Sequence, residues 1–220
     1  MCFLFILGLI VVKGPMKWWL LVTTILSILL AWGKNFMPLT DFFLTYFPGY
    51  NKFRAVTMIL IIAEFAIPLL GILALKEISE EKQDRKKLFK GLQVAFIITA
   101  GIMLLFALAP GMFLNFIGAN DSYLQQQYQF PEWLMQSFRD ERIRLLRNDA
   151  IRSFIFVALS GVLVWAILFK KIKAIYAFLG LTLLILADMF TVDKRYVTND
   201  SFTTRSSVEN ASAARFSAVG

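Results

Sequence analysis

The strongest constraint in this sequence is a series of long apolar runs joined by short polar connections. Five runs approach the length of about 20 residues that an α-helix needs to cross a bilayer. They cover residues 18–32, 55–75, 92–110, 153–169 and 174–190. The chain is 58% hydrophobic and only 17% charged, a balance that a soluble domain does not need. The sequence therefore predicts an all-α polytopic membrane protein.

The first run, residues 1–12, is too short to cross a bilayer and lacks the basic start and small-residue cleavage site of a signal peptide. We expect it to be part of a transmembrane helix, which brings the expected total to about six. Residues 1–190 would then form a transmembrane domain, and 191–220 the start of an extracytoplasmic region. Both ends are abrupt, so the sequence is expected to be a fragment of a longer protein.

The lysines and arginines predict the orientation. Lys13 and Lys17, the run 76–90 and the run 170–173 fall in alternate connections and hold 11 of the 23 basic residues. By the positive-inside rule these connections are cytoplasmic. Residues 40–54, 111–150 and the tail after 190 are then expected outside, with helices lying in the outer interface. This arrangement accounts for the net charge of +8, so nucleic acid is not an expected partner.

The residue types that are missing exclude several chemistries. Histidine is absent and Cys2 is the only cysteine. This excludes Cys/His zinc sites, nucleophile systems that need histidine, and intrachain disulfides. Phosphate-binding glycine loops are also absent. Any chemistry must use carboxylates, amines, hydroxyls or backbone groups, and no metal or cofactor is expected.

The segment TDFFLTYFPGYNKFRAVTMIL, residues 40–60, differs from the apolar runs around it. Its rings recur at helical spacing, which predicts a short helix in the membrane interface. Beside the rings stands a polar set that is suited to bind a phosphate or a sugar, with one arginine as a bidentate phosphate donor. The set is Asp41, Tyr50, Asn51, Lys52 and Arg54. The alternative is a plain aromatic anchor followed by a turn.

Glu64 lies in the middle of an apolar run, shortly before Pro68. A carboxylate at that depth is costly, so it is a candidate functional group within the membrane. The alternative is a protonated or paired glutamate that fixes the packing of a kinked helix.

The outer stretch 131–154 alternates charged and apolar residues. One interpretation is a helix laced by salt bridges that rests on the membrane. The other is an arginine group that attracts a lipid pyrophosphate. Four arginines outside run against the positive-inside rule and need a counter-charge; they are Arg139, Arg142, Arg144 and Arg147.

The stretch AWGKNFMPLTDFFLTYFPGYNKFRAVTMIL, residues 31–60, resembles the YfhO family of bacterial membrane proteins, in particular its Bacteroidetes branch. The similarity continues through 145–165 and 187–202. The resemblance implies a GT-C-type glycosyltransferase in the bacterial cytoplasmic membrane. Its implied partners are membrane lipid and a polyprenyl-phosphate sugar as donor for cell-envelope glycosylation.

The catalytic acid of the GT-C class lies in the first outer loop, so the resemblance places it upstream of residue 1. The catalytic residue of this chain is therefore unknown. Two other functions stay open. One is a transporter or flippase with Glu64 as its coupling site, and the other is a non-catalytic scaffold for envelope assembly.

Overall fold

The structure is a computed structural model that describes residues 1–47, 56–80, 84–112, 114–118 and 121–196. In these ranges the regular structure is entirely helical, as the apolar runs predicted. The α-helices are α1 Cys2–Val11, α2 Met16–Ala31, α3 Met37–Tyr46, α4 Leu60–Ser79, α5 Arg85–Leu108, α6 Asp121–Tyr128, α7 Glu132–Leu168 and α8 Ala174–Tyr196. Short 3-10 turns precede α3 and α4 and follow α5.

Four helical segments are long and apolar enough to cross a membrane. They are Thr57–Ser79, Arg85–Leu108, Glu132–Leu168 and Ala174–Lys194. The other two apolar helices are shorter, with 10 residues in α1 and 16 in α2. At 1.5 Å per residue α2 is about 24 Å long, less than the hydrocarbon thickness of about 30 Å. The expected helices are thus present, and four of them have the full spanning length.

The charged stretch before the fourth span does not form a separate helix. We expected a helix resting on the membrane over 131–154 and a span over 153–169. The structure instead has α7 as one helix of 37 residues, about 55 Å long. If the apolar half of a continuous helix crosses a bilayer, its charged half cannot lie flat on the membrane surface. The charged half of α7 therefore extends away from the apolar half along the same axis.

The chain divides into two units, Met1–Leu179 and Gly180–Gly220. In the described part of the second unit, the Thr191 hydroxyl donates to the Ala187 carbonyl over 2.7 Å. The ammonium of Lys194 lies 4.9 Å from the centroid of the Phe190 ring. Helix α8 continues to Tyr196, six residues past the expected end of the transmembrane domain.

In the first unit α1 is the central helix. It contacts both α4 and α5, while α2 packs on α4 and α7 packs on α5, and α4 also contacts α7. The core side chains of α1 are almost fully buried, namely Phe3, Leu4, Leu7 and Val11. Helix α1 is therefore enclosed by its neighbours in this unit.

Reciprocal glycines allow α1 and α4 to approach closely. A Cβ at Gly8 would lie 2.6 Å from Leu70 Cγ and 2.7 Å from the Leu70 carbonyl oxygen. A Cβ at Gly71 would lie 3.0 Å from Leu4 Cβ. Small residues at helix contacts are the usual means of packing helices in membranes, where apolar side chains gain little from leaving lipid.

The helix ends that border three cation-rich connections meet at one end of the first unit, which we call the basic end. It consists of the last turns of α1, α4 and α7 and the first turns of α2, α5 and α8. Gly91 near the start of α5 faces Ile10 of α1, and the rings of Phe89 and Phe169 are 5.5 Å apart. Ser79 at the end of α4 shares a cleft with Lys170. The end that carries the last turns of α2 and α5 and the first turns of α4 and α7 is the opposite end.

The glycine contact gives a test of this packing. Gly8→Ala should destabilise the protein by about 1–3 kcal/mol, since the new methyl group meets backbone as well as side chain. In a chain of this size that lowers the melting temperature by roughly 2–12 °C. The measurement is thermal unfolding of the purified protein in detergent.

Gly101→Ala is the matched control, because a Cβ there meets no atom within 4 Å. It should leave the melting temperature unchanged or raise it, since alanine favours a helix over glycine. Equal melting temperatures for Gly8→Ala and the wild type would contradict the α1–α4 contact.

Candidate functional site

At the opposite end an arginine and an aspartate form a two-pronged ion pair between α7 and the start of α6. Arg142 Nη1 donates to Asp121 Oδ2, and Arg142 Nη2 donates to Asp121 Oδ1, each over 2.7 Å. This parallel geometry makes the strongest type of ion pair between side chains. The Asp121 side chain is 4% exposed and that of Arg142 is 39% exposed. The pair is therefore largely shielded on the carboxylate side.

Two further hydrogen bonds attach the preceding loop to this pair. The Gly118 amide donates to Asp121 Oδ2 over 2.8 Å. Arg142 Nη1 also donates to the Phe116 carbonyl over 2.8 Å. We call Phe116, Gly118, Asp121 and Arg142 the Asp121 cluster. It attaches Phe116, Gly118 and Asp121 to α7.

The hydrogen bond from Arg142 and that from the Gly118 amide lower the pKa of Asp121 from 3.8 to about 2, against the opposing effect of burial. The carboxylate is therefore ionised at every physiological pH. Because both of its oxygens already accept hydrogen bonds from Arg142, it is poorly placed to act as a general acid or base. Its chemistry is that of a permanent anchor.

Arg139 lies one turn before Arg142 on α7, and its charge also lowers the pKa of Asp121. Its Nε is buried, and no described residue accepts a hydrogen bond from it. Two guanidinium groups therefore stand near the Asp121 carboxylate, and Asp140 and Glu141 lie between these arginines in the chain.

The four arginines of this stretch differ in their surroundings. The expected counter-charge is confirmed for Arg142, where Asp121 supplies it. Arg144 Nε lies 3.7 Å from Glu141 Oε2, and both side chains are exposed, so this contact adds little. Arg147 is exposed. The structure therefore gives partners for Arg142 and Arg144, and the attraction of a lipid pyrophosphate to this stretch stays a prediction.

Sequence reasoning missed Asp121. It lies 21 residues before Arg142, and no local periodicity links the two. A glycine three residues before an aspartate is a turn signal, but it does not identify the arginine across the fold.

The aromatic segment begins in a short helix, α3, as the spacing of its rings predicted, and the position of this helix in the membrane interface stays a prediction. The rings of Phe42 and Tyr46 are 5.1 Å apart, and those of Phe43 and Phe47 are stacked at 4.8 Å. Asp41 is exposed on this helix. The other members of the predicted polar set, Tyr50, Asn51, Lys52 and Arg54, lie outside the described residues. The structure therefore places Asp41 but does not test the set.

Glu64 is exposed on α4. Phe65 beside it and Ile61 and Ile72 one and two turns away are also strongly exposed. Glu64 comes seven residues after Thr57 in the span that ends at Ser79, about 11 Å along the axis. It is thus nearer the middle of that span than its start, and because it is exposed it does not fill a helix contact as the packing interpretation expected.

Within the described ranges, no group of three or more Cys, Asp or Glu side chains is arranged to hold a metal ion. Comparison with protein-family models finds no match, and comparisons with curated proteins and with solved structures also find none. The resemblance to the YfhO family therefore stays a prediction from the sequence.

The lowered pKa of Asp121 predicts a pH-dependent loop. A spin label at Leu114→Cys, in a Cys2→Ser background, should report an ordered loop at pH 7. Because the pKa of Asp121 is lower in the folded chain than its ordinary value of 3.8, its stabilising effect is complete above that value. The effect is lost as pH falls to about 2, so the label should become mobile between these two pH values.

Asp121→Asn should make the same label mobile already at pH 7, since an amide cannot accept both arginine hydrogen bonds. Asp140→Asn is the control, because Asp140 is exposed on α7 outside the cluster. If the label in the wild type is as ordered at pH 2 as at pH 7, the pair does not hold the loop.

Proposed function

We propose that this chain belongs to a YfhO-like membrane protein that handles a polyprenyl-phosphate sugar in GT-C-type glycosyl transfer to the cell envelope. The observation that carries the proposal is the resemblance of residues 31–60. The described helices that flank residues 48–54, the PGYNKFR stretch, support it. Both α3 and the start of α4 are at the opposite end, away from the basic end.

The orientation is part of the proposal. The positive-inside rule favours a cytoplasmic position for the basic end. The opposite end then faces outward from the bacterial cytoplasmic membrane, with α3, α6 and the charged half of α7. A polyprenyl-phosphate sugar is used on that side in the enzyme class that the sequence resembles.

The chemistry of the donor matches the residues proposed to bind it. The isoprenoid chain is apolar, and the paired rings on α3 offer an apolar surface at the end of the bundle. The phosphate is anionic, and Lys52 and Arg54 follow closely in the chain. An arginine contributes two parallel donors to a phosphate, which a lysine does not. Asp41, Tyr50 and Asn51 supply hydrogen-bonding groups for the sugar.

The exposure of Glu64 favours a second candidate function, transport or flipping of a substrate. A carboxylate on a face directed toward lipid costs about 2.5–3.5 kcal/mol near the centre of a bilayer. A carboxylate in such a position commonly binds a polar substrate or transfers a proton. Glu64→Gln would abolish transport in that case and leave sugar transfer intact if the glycosyltransferase proposal holds.

The glycosyltransferase proposal predicts the effect of Arg54→Ala, introduced into the natural gene. Charge-assisted hydrogen bonds contribute about 1.5–3 kcal/mol each. Donor use should therefore fall roughly ten- to a hundredfold, since each 1.4 kcal/mol is a factor of ten. Arg54→Lys should recover only part of it. The measurement is transfer of radiolabelled sugar from its polyprenyl-phosphate donor in isolated membranes.

Arg144→Ala is the matched control. It removes an arginine at the same end, and the contact of that arginine with Glu141 is exposed and weak. It should transfer sugar at the wild-type rate. Wild-type transfer by an Arg54→Ala, Lys52→Ala double variant at normal protein levels would reject the proposed donor site. Phe43→Leu should have a much smaller effect, because it keeps most of the apolar area.

A further inference from the structure

A cleft of about 580 Å³ opens at the basic end, between the last turn of α4 and the connection from α7 to α8. Its polar lining consists of Lys170, Lys171, Lys173, Ser79 and Glu80. Its apolar lining includes one isoleucine each from α4, α7 and the connection. We call it the lysine cleft. It lies far from the segment that carries the proposed function.

The charges that line this cleft are mostly positive. Its described lining holds three lysines and one glutamate, and Glu80 Oε1 lies 3.8 Å from Lys76 Nζ, which is outside the lining. The three lysines are exposed, so a ligand in the cleft can reach them. Three cations around one small volume favour an anion with several oxygen atoms, and phosphate is the common biological group of that kind.

The backbone of the connection is fixed by hydrogen bonds at the end of α7. The Lys171 amide donates to the Ala166 carbonyl over 2.9 Å, and the Lys170 amide donates to the Ile167 carbonyl over 3.0 Å. Lys170 has a φ of 52°. This is the Schellman arrangement, in which glycine is the usual residue at the left-handed position. Here the position carries a lysine, so the turn adds a charge to the cleft.

The cleft lies where apolar helices end. Helix α4 ends at Ser79, α7 ends at Leu168 and α8 begins at Ala174. Lipid phosphates occupy that level in a bilayer, and basic pockets between helices on one face bind lipid headgroups. The isoleucines offer an apolar wall to the part of a lipid below its phosphate.

We propose that the lysine cleft is a binding site for a phosphate ester with a net negative charge at the membrane surface. The lysines bind the phosphate oxygens, and the isoleucines contact the group that the phosphate is attached to. Setting the orientation of a membrane protein requires only basic residues in a connection. A cleft that gathers three of them over an apolar wall goes beyond that requirement.

The test measures ligand binding to the purified protein in a neutral detergent. Short-chain phosphatidylglycerol, phosphatidylcholine of the same chain length and inorganic phosphate are titrated separately, and intact complexes are counted by native mass spectrometry. Phosphatidylglycerol should bind at least tenfold more tightly than phosphatidylcholine. Competition by inorganic phosphate would identify a site for soluble phosphate compounds, and its absence would identify a lipid site.

The decisive variants are matched pairs. Lys171→Gln with Lys173→Gln should weaken phosphatidylglycerol binding at least tenfold. Lys86→Gln with Lys87→Gln removes the same charge from the first turn of α5, at the same end but outside the cleft, and should leave binding unchanged. Lys170→Gly keeps the left-handed turn, removes one ammonium and should cause an intermediate loss.

Equal weakening in both pairs would show a general effect of surface charge and overturn the proposal. It would also be overturned if the wild type bound phosphatidylglycerol no better than phosphatidylcholine and did not bind phosphate. Loss of folding in the first pair would be recognised by a lower melting temperature without ligand. Lys170→Gly then decides the question, since glycine is the favoured residue for that turn.

Discussion

A hydrocarbon layer solvates neither peptide groups nor ammonium groups, and the rest of this structure depends on that constraint. Peptide groups in such a layer must bond to one another, so the apolar runs form helices. Cations must stay at the ends of those helices. The last turns of α1, α4 and α7 accordingly meet the basic connections at one end. The aromatic helix α3 and the arginines of α7 belong to the other end, which gives the protein two chemically different faces.

The two ends use their charges differently. At the opposite end, Arg142 is held by Asp121, and the lowered pKa of that carboxylate keeps the pair ionised. These two charges are engaged with each other in a contact that stabilises the chain, so a ligand would have to compete for them. At the basic end, the lysines stand around an open cleft whose backbone is fixed by the Schellman turn. The charges there remain accessible, although they belong to residues that also orient the protein.

Local periodicity in the sequence predicted the helices, including α3 with its stacked rings, because helix formation depends on neighbours within a few residues. It did not predict that α7 is continuous, since a charged stretch and an apolar one look like separate elements. It missed the pairing of Asp121 with Arg142 and the cleft at Lys171, because these depend on how distant segments pack. It also did not predict that Glu64 is exposed, since the covered face of a helix depends on the helices packed against it.

The most direct test of the account is the side of the membrane on which each end lies. Gln127 is exposed at the opposite end and Lys87 is exposed at the basic end. Each is replaced by cysteine, one at a time, in a Cys2→Ser background. A membrane-impermeant maleimide added to intact spheroplasts should label Gln127→Cys. It should label Lys87→Cys only after the membrane is opened. Labelling of Lys87→Cys in intact spheroplasts, or of both sites equally, would contradict the account.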